Sequence, residues 1–160
     1  MFLEIKLRPE TKLVGKSLKA SLAEDQSFAL WSSFMPERKL VQNTISSDFY
    51  SVQVYDPKLS FNDFNEHTIF EKWAAVAVSD YQNLPETMTT LNIPKGLYAV
   101  FLHKGTAADF PKTSAYIFRE WLPSSVYELD NRPHFEILGA KYKNNHPDSE
   151  EKVWIPIREK

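Results

Sequence analysis

Seven stretches of the chain carry an extended pattern of apolar and polar positions, and two carry a helical one. FLEIKL, residues 2–7, sets Leu3, Ile5 and Leu7 on one side and predicts a strand with those three inward. TKLVGKSLKAS, 11–21, is a second, looser strand. In EDQSFALWSSF, Phe28, Trp31 and Phe34 return to roughly one side of a helix that Asp25 or Ser27 can cap, and Pro36 ends or restarts it. DFYSVQVYD places Tyr50, Val52 and Val54 on one strand face and Phe49 and Tyr55 on the other. A polar loop follows, then the apolar strand KWAAVAVSD and a connection with two prolines, residues 81–96. GLYAVFLHKG is the next strand, bracketed by Gly96 and Gly105. DFPKTSAYIFREWLP has Pro111 near its start and Pro123 at its end, as helices do, with Phe110, Ser114, Ile117, Phe118 and Trp121 inward. RPHFEILGAKYK and EKVWIPIRE close the chain as strands, the latter with Val153, Ile155 and Ile157 on one face.

The helices repeat. SFALWSSFMP, residues 27–36, lies over SAYIFREWLP, 114–123, at a constant offset of 87, with Ser on Ser, Trp31 on Phe118, Phe34 on Trp121 and Pro on Pro. A strand precedes each helix and two strands follow it. The chain therefore reads as an α+β fold of duplicated β-α-β-β units, with pseudo-repeats over about 10–80 and 95–158 in a single domain, 1–160. Such a duplication predicts a mainly antiparallel sheet with two long helices on one face and a ligand cleft between the halves.

Composition narrows the chemistry. The net charge is −2 and no segment is strongly basic, so direct nucleic-acid binding is not expected. There is no Cys, which removes disulfides, thiolate zinc ligands and a thiol nucleophile and suits a cytoplasmic setting. Glu4 and Lys6 interrupt the amino-terminal apolar run, and no stretch reaches the ~20 apolar residues of a membrane span. The four glycines form no phosphate loop, and His67, His103, His134 and His146 lack metal spacing, so neither cofactor nor metal is expected. His103 reads first as a structural residue at a strand end.

What remains is a supply of rings, 14% of the residues, and one awkward carboxylate. Trp31, Trp73, Trp121, Tyr98 and Tyr127 suit either core or a pocket wall. Glu136 lies between Phe135 and Ile137 in a strand. Alternation groups it with His134, Leu138 and Ala140, which leaves exposure and burial equally open.

GLYAVFLHKG, REWLPSSVYELDNRPHFEIL and VWIPI closely resemble the GyrI-like, AraC-type bacterial effector-binding domain, the multidrug-binding part of several transcription regulators. The resemblance covers residues 95–158 well and the first half loosely. It implies that the acidic residue on the strand after the second helix lies at the floor of an aromatic cleft and engages lipophilic cations; here that residue is Glu136. With no helix-turn-helix ahead of the first strand, a stand-alone binding domain is expected. Its ligand would be a hydrophobic, cationic or amphipathic small molecule, held by Glu136, Tyr98, Trp73, Trp31, Trp121 and Tyr127. Two alternatives stand beside it. One is hydrolysis of strained electrophilic small molecules, with Glu136 as general base beside Tyr98 or Tyr127. The other is a protein-interaction module whose partner is a transcription regulator or gyrase.

Overall fold

The computed structural model describes residues 1–160. Nine strands alternate with short helices: β1 (Phe2–Arg8), β2 (Thr11–Ala20), α1 (Ser27–Phe34), β3 (Phe49–Val54), β4 (Phe70–Val78), β5 (Thr89–Ile93), β6 (Gly96–Lys104), α2 (Phe110–Ala115), α3 (Leu122–Ser124), β7 (Tyr127–Leu129), β8 (His134–Leu138) and β9 (Glu150–Glu159). A π-helical turn, Tyr116–Trp121, joins α2 to α3, so the second helical segment runs unbroken. The first helix begins at Ser27, after Asp25 and Gln26, and Pro36 restarts the chain as a 3-10 segment, Met35–Leu40.

All pairings are antiparallel, and the main path runs β1-β6-β9-β8-β3-β4-β2-β5, with β7 on the end of β9. The order reads the same from either end. In each half a helix-bracketing trio (β2, β4, β3 or β6, β9, β8) meets its counterpart at the central β3–β8 pair. The edge strands are exchanged: β1, leading into β2, pairs with β6, while β5, leading into β6, pairs with β2. The proline-containing connection thus holds a strand, β5, that the sequence pattern does not reveal, and β7 is likewise unforeseen.

Both helical segments cover one face. Leu30 and Phe34 of α1 pack on Val14, Ala74, Val76 and Val78. Ile117 packs on Ala99, Phe101, Val153, Ile155 and Ile157. The opposite face has no helix, yet Leu13, Tyr50, Trp73, Tyr98, Phe135 and Trp154 are all buried there in one cluster, because the sheet rolls on itself. Two-residue links between β1 and β2 and between β5 and β6 draw its outer strands together. Arg8 closes this inner face: its guanidinium lies 4.7 Å from the Trp154 ring centroid and donates to the Tyr50 hydroxyl at 2.7 Å.

The expected inward set of β1 needs correction. Leu3 and Leu7 are exposed and only Ile5 is partly covered. A bulge between Phe2 and Glu4 shifts the alternation, so Phe2 joins Ile5 on the helix side, where it stacks on Trp121 at 5.0 Å.

Candidate functional site

Between the two helices the floor of the face is built by register. Lys16, Ala74, Ser51, Glu136, Val153 and Phe101 form one row across six strands. Directly opposed residues share a face, so Glu136 points to the helix side while its neighbours Phe135 and Ile137 point into the inner face. Beside it on β3, Ser51 is small and half-buried, and one strand further Ala74 on β4 is covered by α1. The carboxylate is half-buried, and one side-chain donor reaches it: Gln53 Nε2 donates to Oε2 at 3.1 Å. Burial pushes its carboxyl above the ordinary range, against opposing pulls from the Gln53 amide and the Lys72 ammonium.

A second carboxylate shares this floor. Glu151 lies two residues before Val153 on β9, hence on the same face and diagonal to Glu136 across the β8–β9 pair. Burial, then the charge of Glu136, raises its carboxyl to about 8, with Lys72 acting the other way. Two carboxylates with one ammonium nearby are reluctant to ionise together, and the pair retains a proton at neutral pH. Spacing does not reveal this pair, since it depends on how β8 and β9 align across an eleven-residue loop, 139–149. Nor is the tyrosine beside Glu136 the expected one. It is Tyr55, whose hydroxyl is held above its usual range by burial and then by the Glu136 charge.

Rings close one end. His134, on the Glu136 side of β8, stands 4.9 Å from Tyr55, 5.7 Å from Phe61 and 6.2 Å from Phe118, centroid to centroid. Phe61 and Phe118 lie nearly parallel at 6.5 Å. The π-helical turn underlies this: Ile117 drops into the core while Phe118 turns to the cleft and Trp121 to the far side. Burial, then the charge of Arg132, lowers His134 to about 3, so its imidazole is neutral at physiological pH. Outside the cluster runs an open groove of about 480 Å3, bounded by Phe61, Leu122, Tyr127 and Arg158; Glu136 does not line it, and Phe61 belongs to both.

Of the six residues expected in the cleft, four lie on the helix-covered face, and two of these, Glu136 and Trp31, stand between the helices. Glu136 is on the floor, and Trp31 is on the α1 wall, edge-on to Phe49 at 6.2 Å. Trp73 and Tyr98 lie on the inner face. Trp73 donates its indole N–H to Glu71, and Tyr98 donates its hydroxyl to the Pro133 carbonyl at 3.1 Å. Trp121 and Tyr127 stack at 6.4 Å beyond α2, away from Glu136. For Trp73 and Tyr98 the reason is that period-two alternation identifies which rings share a strand face but not which face the helices cover; Trp121 and Tyr127 pack toward the outer strands on the helix side instead. His103 is structural, its ring bonded to Thr113 Oγ1 at 2.6 Å and to the Thr106 carbonyl at 3.0 Å, which pins the start of α2.

The family model described as GyrI-like small molecule binding domain matches residues 1–158. The transcriptional regulator BrlR of Pseudomonas aeruginosa is 26% identical over 152 residues, which is 94% of this chain and 53% of BrlR, so the chain spans about half the length of that curated relative. Among solved structures, SAV2435 bound to tetraphenylphosphonium superposes with a TM-score of 0.74 at 11% identity, covering 99% of this chain and 94% of that one. The EcmrR C-terminal domain gives 0.73 at 16% identity, covering 100% and 99%. A hydrolase from Listeria innocua gives 0.53 at 12% identity, covering 97% and 91%. At these identities the structural likenesses establish the fold. No helix is long and apolar enough to cross a membrane.

Proposed function

The chain belongs to the GyrI-like small-molecule binding family, and from that premise we propose that its cleft takes a lipophilic cation, with Glu136 as the counter-charge. The observation that carries this is a half-buried carboxylate on a central strand whose one side-chain donor is a neutral amide. A desolvated anion left so sparsely compensated is costly, and a cation that arrives with its own apolar surface relieves that cost. The neutral ring of His134, with Tyr55, Phe61 and Phe118, offers faces on which flat groups stack, each cation–π contact contributing about 0.5–2 kcal/mol. A ligand ring takes the place of Phe61 against His134, and the outer groove receives the displaced loop. The cleft is in this reading the sensing part of a drug-responsive regulatory system. Titration of tetraphenylphosphonium into the protein by calorimetry tests it: Glu136→Gln is expected to weaken binding roughly tenfold or more, about 1.4 kcal/mol. Equal affinity in the two proteins would refute the role of Glu136.

The second carboxylate favours a second reading, hydrolysis of a strained electrophile. Glu136 would take a proton from water as the water oxygen bonds to carbon, and Glu151, raised to about 8, would give its proton to the group that leaves. Turnover that vanishes in Glu136→Gln while ligand binding persists separates this from simple binding.

A further inference from the structure

Lys72 stands on the cleft floor, and neither reading above uses it. It lies on β4 between Leu18 of β2 and Gln53 of β3, on the Glu136 face, and Gln53 is the residue that donates to Glu136. Its side chain is only 16% exposed, yet its ammonium makes no hydrogen bond. The nearest acid is Asp25, 3.9 Å away at the cleft mouth, 67% exposed and itself fixed at the start of α1 by the Ser27 N–H at 2.9 Å and hydroxyl at 2.6 Å. A compact point charge on a four-carbon stem, held loosely, moves at little cost between two acidic neighbours. One of these is the Asp25 lip, and the other is the floor with Glu136 and Glu151.

We infer that Lys72 is the cleft's own cation: shared between the Asp25 lip, 3.9 Å away, and the floor carboxylates, it competes with a cationic ligand for the floor and so sets the ligand charge the cleft accepts. The inference rests on the cation-binding reading and adds a competitor to it. The two carboxylates, reluctant to ionise together, carry about one negative charge that Lys72 already offsets, so an entering cation takes the place of the ammonium, and a monocation matches the floor better than a dication. Lys72→Met keeps the apolar stem and removes the charge, which turns the floor into a site of greater negative charge.

The test is calorimetric titration with tetraphenylphosphonium and with neutral triphenylphosphine oxide. Lys72→Met, and Lys72→Gln as a second variant with a shorter stem, are expected to bind the cation roughly tenfold more tightly and the neutral compound as the wild type does. Asp25→Asn, which removes the resting place at the mouth, is expected to weaken cation binding about threefold. The double variant Asp25→Asn/Lys72→Met is expected to match Lys72→Met alone, because Asp25 acts only through the ammonium. Unchanged or weaker cation binding by both Lys72 variants overturns the inference, as does an Asp25→Asn effect that survives in the double variant. If Glu136→Gln weakens binding but the Lys72 variants do not tighten it, the competitor fails and the cation site stands. If neither the wild type nor Lys72→Met binds the cation, both fail together.

Discussion

The shared floor makes Glu151→Gln a test in which stability and pH are bound together. In the unfolded chain this carboxyl titrates near 4.5, and in the folded protein near 8. The folded state therefore holds a proton that the unfolded state has lost between those two values, and stability falls as pH rises through that window. At pH 7 most of the window has been crossed, and at 1.36 kcal/mol per pH unit the penalty is on the order of 3 kcal/mol. Glutamine has the shape of the protonated acid without its titration. Urea unfolding of the two proteins at pH 4.5, 7 and 8.5 is the assay. The variant should match the wild type near pH 4.5, exceed it by about 2–3 kcal/mol at pH 7, and exceed it further at pH 8.5. A difference that does not change with pH, or a variant that loses stability as pH rises, would refute the placement of Glu151 beside Glu136.

Two further outcomes follow from the geometry. A Cβ on Gly15 would stand 2.0 Å from the Ala74 carbonyl oxygen and 2.7 Å from the Ala75 Cα, both backbone atoms, so Gly15→Ala forces β2 and β4 apart. A loss of about 3 kcal/mol is expected, read as a fall in Tm of roughly 6–12 °C; a fall under 3 °C contradicts it. The His134 ring, lowered to about 3, should show no titration of its imidazole resonances between pH 5 and 8, and its share of stability is lost as pH falls from 6.5 toward 3. A His134 midpoint near 6.5 would place that ring in water.

The helical repeat and the alternation in RPHFEIL made much of this legible in the sequence. Ser27–Phe34 and Phe110–Ser124 lie where the repeat predicts, on one face, and Glu136 points between them. Strand existence was harder wherever tertiary pairing supplies the order. Thr89–Ile93 is a strand because β2 offers it an edge, and its own polar run lacks a clear alternation. Leu3 and Leu7 misled because a bulge and an edge position override periodicity. Glu151 stayed hidden for a related reason. In EEKVWIPI nothing marks one glutamate over the next, and only alignment against Glu136 gives it a role. Ring counting erred most, since Trp73 and Tyr98 belong to an inner face whose burial comes from the curl of the sheet.

The exchange of β1 and β5 has a mechanical consequence. Each strand is a strap, rooted in one half and hydrogen-bonded along the flank of the other. Rotating the halves apart about the central β3–β8 pair would tear both straps, so the cleft cannot open like jaws. Its width is set by the backbone, and admission falls to parts that move without breaking the sheet: the loop carrying Phe61, the side chain of Phe118 and the swing of Lys72. For a cleft that takes lipophilic cations as proposed, different guests are then accommodated by rings re-stacking inside a rigid frame. The range of molecules accepted is limited by ring area and charge rather than by how far the protein can gape.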